Sequence, residues 1–147
     1  MTRIYRYVLL LLLSAVSYMA CAGTVPDGYS QKVVERSVFF DLKKKTFIFA
    51  DDSDGAKPAA RLLRDYCKSH LHKKLIDPHS LPDKGNRIAF FGDESLPQGA
   101  YVIRMYSDMI EVRSSSPAGF DAAVEALCGQ MQRKKVPLSH MEGFPLK

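Results

Sequence analysis

The sequence lacks the short motifs that mark several common enzyme classes, and it has few cysteines. It contains no glycine-rich phosphate loop and no Gly-x-Ser-x-Gly nucleophile elbow. Internal repeats and low-complexity tracts are also missing. Only three of the 147 residues are cysteine, namely Cys21, Cys67 and Cys128. These absences exclude, by motif, P-loop nucleotide hydrolysis and elbow-type ester hydrolysis, and they exclude a repeat architecture.

A strong charge of either sign is missing as well. The chain has 21 Lys and Arg against 16 Asp and Glu, for a net charge of +5. Removing residues 1–20 takes away Arg3 and Arg6, so 19 basic residues remain against 16 acidic ones, a net charge of +3. The basic runs at 43–45 and 133–135 are predicted to be a solvated turn and a helix C-terminus. We therefore expect no nucleic-acid partner.

The first twenty residues predict an export signal. A short basic region at 2–6 precedes a leucine-rich apolar core at 7–15, which is too short for a membrane span. Residues 20–22 fit a small-x-small cleavage site, whereas residues 18–21 fit a bacterial lipobox with Cys21 as the first mature residue. The small residues Ala22, Gly23 and Thr24 that follow the cysteine favour the lipobox. We predict a protein of the bacterial envelope that is lipid-anchored through Cys21, or otherwise secreted.

The N-terminal half predicts a tether, two strands and a helix. Residues 21–31 are polar and contain Pro and Gly, which is typical of a tether. Val- and Phe-rich runs at 33–42 and 46–50, with three lysines between them, predict a hairpin. The aspartates of 51–55 are candidate N-caps for an amphipathic helix over about 56–74, where apolar residues recur at steps of three and four.

The C-terminal half predicts three strands and a second helix. Residues 87–91 read as a strand buried on both faces, and Ser107-Asp108 is the expected turn between the next two strands. Ser116 and Pro117 predict the N-cap and first position of the closing helix. Residues 136–147 are expected to be an irregular tail. The predicted fold, over 32–135, is an α/β (α+β) two-layer sandwich, a mixed sheet of about five strands with two helices on one face.

The positions of the remaining cysteines and of the histidines do not indicate a binding site for a metal or a cofactor. Cys67 and Cys128 fall on the apolar stripes of the two helices, where buried free thiols are expected, and a disulfide between them stays open as the alternative. His70 shares a helix face with Cys67, but His72 lies on the other side of the helix and His79 in a Pro-flanked loop. Metal ligands must converge, so we predict no metal site.

The segment from residue 99 to residue 131 resembles the small domain that precedes the catalytic barrel in glycoside hydrolase family 20, the β-N-acetylhexosaminidases. In that family a Tyr-x-Ile/Leu strand leads through a turn to an Ile-x-Ile strand, and Gly-x-x-x-Ala-x-Gln-Thr-Leu follows on a helix. The matching residues are Tyr101, Ile103, Ile110, Val112, Gly119, Ala123 and Leu127. The sequence departs from the family at Met109, where a turn glycine is common, and at Glu125-Ala126, where Gln-Thr is usual.

This resemblance implies a structural role for the matching residues and no catalysis by the chain itself. In the family an adjacent Asp-Glu pair in the barrel acts on the substrate, with the Glu as general acid and the substrate's acetamido group as nucleophile. The barrel needs a few hundred further residues, and the chain ends at Lys147, so we expect a truncated enzyme or a partner of a separately encoded barrel. Asp93-Glu94 lies before the Tyr101 strand, out of the family's context, and is predicted to be a turn.

A second hypothesis is a free-standing module at the envelope that binds a glycan or docks on a hydrolase. Exposed aromatic rings suit sugar faces, and the candidate contacts are Tyr101, Tyr106 and Phe144. Tyr101 has packing in the core as its alternative. The membrane is expected as a partner only through the lipid anchor.

Overall fold

The computed structural model describes residues 25–147. The predicted export signal at 1–20 and the predicted lipidation site Cys21 lie outside the described residues. Neither of the helices in 25–147 combines the length and apolar character that crossing a membrane requires.

The described residues form six strands and two helices. In chain order these are β1 (Tyr29–Asp41), β2 (Thr46–Ala50), α1 (Ala56–His70), β3 (Asn86–Gly92), β4 (Tyr101–Met105), β5 (Met109–Ser114), α2 (Pro117–Gln130) and β6 (Lys135–Pro145).

All six strands belong to one mixed sheet with the order β1-β6-β4-β5-β3-β2. β2, β3 and β5 pair in parallel, β4 is antiparallel to β5 and β6, and β1 is antiparallel to β6. The crossovers β2-α1-β3 and β5-α2-β6 therefore join strands of the same direction and step the same way across the sheet. Because such crossovers are right-handed, both helices lie on one face. The predicted two-layer sandwich is confirmed, with six strands in place of about five.

The core lies between the helices and the inner face of the sheet. Alternate residues of β4 and β5 point into it, and the predicted inward sets, Tyr101, Ile103 and Met105 with Ile110 and Val112, are all fully buried. β3 is apolar on both faces over Ile88–Phe90, as the sequence predicted. Phe120 and Leu127 of α2 fill the layer above the sheet.

The predicted hairpin of β1 and β2 is wrong. β1 pairs with β6 at one edge of the sheet, and β2 pairs with β3 at the other. A short turn nevertheless joins the two strands. The last residues of β1 extend beyond the end of β4 and cross the end of the core, so β1 finishes close to the start of β3. There the side-chain amide of Asn86, at the start of β3, donates to the carbonyl of Asp41 at 2.5 Å.

The predicted irregular tail is also wrong, and so is the end of the tether. Residues 135–145 form β6, which lies between β1 and β4, and residues 29–31 belong to β1. The two prolines that suggested a tail bracket the segment 140–143, where β6 pairs with β4. Pro137 and Pro145 thus lie where only β1 accompanies β6, so neither removes a hydrogen bond from the central ladder.

The two helices begin differently. α2 has the predicted N-cap, since the Ser116 hydroxyl accepts from the backbone N–H of Gly119 and Pro117 opens the helix. α1 does not use the aspartates of 51–55 as caps. Gly55 occupies that position with φ of 85° and makes no side-chain cap. It is a glycine because an added Cβ would lie 2.5 Å from Cα of Pro117, where the first turns of the two helices meet.

Candidate functional site

Two residues of the family-like motif, Tyr101 and Gly119, lie where α2 begins, against the start of β4 and the end of β5. The Ser116 hydroxyl accepts from the N–H of Gly99 at 2.9 Å, and the buried Ser114 hydroxyl donates to the carbonyl of Ala100 at 2.7 Å. An added Cβ on Gly119 would lie 2.0 Å from Ser114 Oγ and 2.6 Å from the Ala100 oxygen. This junction therefore needs glycine at 119 for close packing.

Tyr101 lies flat across the neighbouring strand. A Cβ on Gly143 would lie 2.1 Å from the Tyr101 ring, so the ring covers the glycine directly. The Tyr101 hydroxyl is buried without a hydrogen-bond partner, and burial raises its pKa to about 12. Tyr29 packs beside it, with ring centroids 5.8 Å apart, and donates from its own hydroxyl to the carbonyl of Gly99 at 2.6 Å.

The structure therefore places two of the seven motif residues, Tyr101 and Gly119, at this junction. Ile103, Ile110 and Val112 are buried along β4 and β5, so they have packing roles as well. Ala123 and Leu127 lie further along α2, also buried. Sequence reasoning missed Ser114, Gly143 and Tyr29. A glycine in a run that alternates like a strand signals close approach of another group, and Gly143 carried that signal.

The carboxyl ends of the parallel strands β2, β3 and β5 form the edge where α/β sheets commonly bind ligands. Here the polar groups satisfy one another. Asp51, after β2, accepts from the N–H of Gly92 at 2.9 Å and from the N–H of Ser53 at 3.0 Å. Partial burial raises the pKa of Asp51, but the hydrogen bonds from Ser53 and Gly92 outweigh it and hold the pKa below its ordinary value.

Asp93 and Glu94 lie at the same edge and form a turn. The Asp93 carboxylate accepts from the N–H of Ser95 at 3.1 Å and from its hydroxyl, which lowers the pKa of Asp93. The Asp93 backbone N–H donates to the carbonyl of Ser114 at 2.9 Å. Glu94 is exposed. The pair thus forms a strand-end turn.

The histidines and Cys67 do not converge. The ring of His70 stacks on Tyr66 with centroids 4.5 Å apart, whereas Cys67 is fully buried on the core face of α1. His72 is exposed, and His79 lies in the wall of a cavity beside β2 and α1. Within residues 25–147 no three His, Cys, Asp or Glu side chains are grouped so as to hold a metal ion.

A cavity of about 530 Å³ lies between β2, α1 and the loop at 77–79. Four of the charged groups in its wall form two ion pairs. Asp52 forms an ion pair with Lys57, and Asp77 lies 3.4 Å from Arg64. The cavity therefore presents a near-neutral, polar wall.

A second cavity, of about 450 Å³, lies at the β4–β5 turn. Tyr106, which is 43% exposed, forms part of its wall with Met105 and Met109. Arg87 and Asp108 lie 3.4 Å apart on its rim. Of the three aromatic residues predicted as sugar contacts, Tyr106 alone lines a cavity, since Tyr101 is fully buried and Phe144 is exposed outside the cavities described above.

On the open face of the sheet, basic side chains lie over two aromatic rings. Arg113 lies over the Phe91 ring at 5.3 Å, and Lys45 lies over the Phe47 ring at 5.2 Å. Glu111 accepts from Nε of Arg113 at 2.5 Å and lies 3.6 Å from Arg104. The basic side chains thus lie over the aromatic rings, and Glu111 balances the charge of the two arginines, as on a sheet face that meets water.

Comparison with known proteins identifies the fold and the family. The sequence model of glycosyl hydrolase family 20, domain 2, matches residues 29–142. Comparison with curated proteins gives no significant match.

Solved structures of similar fold include three enzymes. The β-N-acetylhexosaminidase of Bacteroides fragilis has a TM-score of 0.63 at 20% identity, covering 78% of this chain and 23% of its own. The family 20 exo-β-N-acetylglucosaminidase of Vibrio harveyi has a TM-score of 0.63 at 20% identity, covering 85% and 19%. The family 20 β-N-acetylhexosaminidase of Streptomyces coelicolor has a TM-score of 0.59 at 16% identity, covering 83% and 26%.

The chain thus spans about a fifth to a quarter of the length of these enzymes. The matched range runs from the start of β1 into β6 and includes both helices. The motif at the β4–β5–α2 junction lies inside it. The protein belongs to the glycosyl hydrolase family 20 domain 2 family, a non-catalytic α/β domain of hexosaminidase-type enzymes.

Proposed function

We propose that this chain acts in glycan breakdown at the bacterial envelope as the accessory domain of a β-N-acetylhexosaminidase-type hydrolase. In this proposal it packs against a catalytic barrel that lies elsewhere in the same protein or on a separate chain. The observation that carries the proposal is the family match over 29–142, together with solved relatives in which the equivalent domain is about a fifth to a quarter of the chain.

The contacts of the acidic side chains favour a structural rather than a catalytic role. Asp51 joins β2 to β3, Asp93 forms a turn, and Glu111 lies between two arginines. The family 20 mechanism needs an adjacent Asp-Glu pair facing one sugar, with the Glu protonated so that it can act as general acid. The resolved pKa shifts of aspartates in this chain are downward, opposite to what a general acid needs.

A domain exchange tests the proposal. In the Bacteroides fragilis enzyme the equivalent domain is replaced by residues 25–147, and the chimera is compared with the same enzyme lacking that domain. We expect the chimera to be soluble and to hydrolyse an aryl N-acetyl-β-glucosaminide within about tenfold of the parent, because the packing of the domain is restored. A chimera as inactive and aggregated as the deletion would contradict the proposal.

A matched variant separates support from catalysis. Asp93→Asn with Glu94→Gln in the chimera should leave kcat/KM unchanged, since the barrel supplies the chemistry. The chain alone should give no turnover of the same substrate. Turnover by the chain alone that disappears in the double variant would show that it is an enzyme in its own right.

Export and lipid anchoring are part of the proposal and need their own experiment. The full chain is expressed in a bacterium fed radiolabelled palmitate, with Cys21→Ser as the control. Label in the membrane fraction that the Cys21→Ser variant loses is the expected result. Unlabelled protein released to the medium would favour cleavage before Gly23, and a cytoplasmic chain would contradict export.

A sugar-binding module is the second candidate, and the cavity at Tyr106 favours it. One exposed aromatic face beside an Arg87–Asp108 pair offers a stacking surface with polar groups next to it, which is how sugars are commonly held. The test is a titration with N-acetylglucosamine and its β-1,4 dimer. Tyr106→Ala should abolish any binding, whereas Phe144→Ala, another exposed aromatic outside the cavity, should not. Binding that ignores Tyr106, or no binding to either sugar, would remove this candidate.

A further inference from the structure

Two cysteines lie at the same height on the two packed helices. α1 and α2 run in the same direction, because each leaves the carboxyl edge of the parallel strands and returns to the opposite edge. Their first turns touch at Gly55 and Pro117. Cys67 comes 12 residues after Gly55 and Cys128 comes 11 residues after Pro117. At about 1.5 Å of rise per residue, the two lie about 18 and 16.5 Å along their helices.

The helices are still in contact at that height. The hydroxyl of Tyr66, next to Cys67, donates to the backbone carbonyl of Cys128 at 3.2 Å. Cys67 continues the buried stripe of α1 and is fully buried, and Cys128 is half-buried and packs against the same core. One thiol thus lies in the helix–helix layer, and the other belongs to the more exposed residue, at the margin of that layer.

We propose that Cys67 and Cys128 are a redox pair that closes an intramolecular disulfide between α1 and α2 under oxidising conditions. Both cysteines of the disulfide belong to this chain, and the proposal does not depend on the function proposed above. The predicted free thiols are what the structure shows, and the proposal adds that oxidation joins them as a bridge between the two parallel helices.

The chemistry is exchange with a small disulfide such as oxidised glutathione. The Cys128 thiolate attacks one glutathione sulfur, forms a mixed disulfide and releases one glutathione thiolate. The Cys67 thiolate then attacks the Cys128 sulfur and releases the second. The protein loses two thiol protons and two electrons, and oxidised glutathione gains them as two thiols.

The surroundings of the thiols make this exchange slow at neutral pH. Burial raises the pKa of Cys67 to about 11, and burial with the nearby Cys67 and Glu125 raises the pKa of Cys128 to about 12. The facing group on α1 is Tyr66, whose pKa burial also raises. Because the thiolate is the nucleophile, the rate of bridge formation should rise about tenfold per pH unit between pH 7 and 9.

The test uses the full chain, reduced and then incubated with oxidised glutathione in native buffer. Free thiols are counted, and a non-reducing tryptic digest is read by mass spectrometry. We expect peptide 65–68 linked to peptide 114–133, the two peptides that contain Cys67 and Cys128. The Cys21→Ser variant should give the same linked peptide, and the bridged form should melt on the order of 5–10 °C higher than the reduced form.

A denatured control shows whether the fold directs the pairing. In 8 M urea the three cysteines should give a mixture of pairings, whereas the native chain should give the 67–128 link almost alone. Glutathione left on Cys128 with Cys67 still reduced would overturn the proposal, and so would a native mixture like that in urea. The measurement needs no cysteine variant to fold, because the wild-type chain supplies both arms.

Discussion

Gly119→Ala is the substitution to which the motif junction should be most sensitive. The added Cβ would lie 2.0 Å from Ser114 Oγ and 2.6 Å from the carbonyl oxygen of Ala100. The Ser114 hydroxyl can rotate away, but it then loses its 2.7 Å hydrogen bond to Ala100 and leaves that buried carbonyl unpaired. The Ala100 oxygen cannot rotate, so the first turn of α2 has to lift from β4.

The magnitude follows from these two consequences. Overpacking a tight site costs about 1–3 kcal/mol, and an unpaired buried carbonyl costs about 1–3 kcal/mol. Alanine returns up to about 1 kcal/mol in helix propensity. The net loss is about 1–5 kcal/mol, and the middle of this range lowers Tm by about 10 °C for a domain of this size.

The assay is urea unfolding followed by circular dichroism, on Gly119→Ala, Ser114→Ala and the double variant. Ser114→Ala removes the atom nearest the new Cβ, so the double variant should lose at least about 1 kcal/mol less than the sum of the single losses. A loss below about 0.5 kcal/mol for Gly119→Ala, or strict additivity, would refute the close-packing explanation.

Three further predictions concern other parts of the fold. Tyr101→Phe should leave the unfolding free energy unchanged or raise it, because the hydroxyl that it removes is buried without a partner. Tyr29→Phe should instead lower the unfolding free energy by about 1 kcal/mol, because it loses a 2.6 Å hydrogen bond. Equal losses for the two variants in urea unfolding would contradict this prediction. The carboxyl of Asp51 has a folded pKa below its ordinary 3.8, so it adds stability above pH 3.8 that is lost as the pH falls through the lower folded pKa. Asp51→Asn should therefore flatten the loss of stability between pH 4 and 2, and an unchanged pH profile would count against the assignment. Deleting residues 136–147 should abolish cooperative thermal unfolding, because they supply most of an interior strand; a shortened chain with a normal melting transition would show that β6 is dispensable.

Local patterns in the sequence predicted most of the elements correctly. The apolar steps of three and four placed α1, and Ser116-Pro117 placed the start of α2, because helix periodicity and capping depend on residues close in the chain. The alternation over 101–112 predicted both strands of the β4–β5 hairpin and the turn between them. Even the two-layer architecture followed, since two apolar helix stripes need one sheet face to cover them.

Which strands distant in the chain pair was decided by the tertiary structure alone. Lys43–Lys45 looked like a hairpin turn and 136–147 looked like a tail, because composition records neither the distant partner of a strand nor the register of its prolines. β1 joins β6 over a separation of more than ninety residues, and Pro137 and Pro145 are tolerated only because β4 pairs with the segment between them. The roles of Ser114 and Gly143 likewise depend on atoms brought close by that pairing. The sequence by itself determined most of the elements and the family, whereas the long-range hydrogen bonds and close contacts determined β6, the sheet order and the junction of β4, β5 and α2.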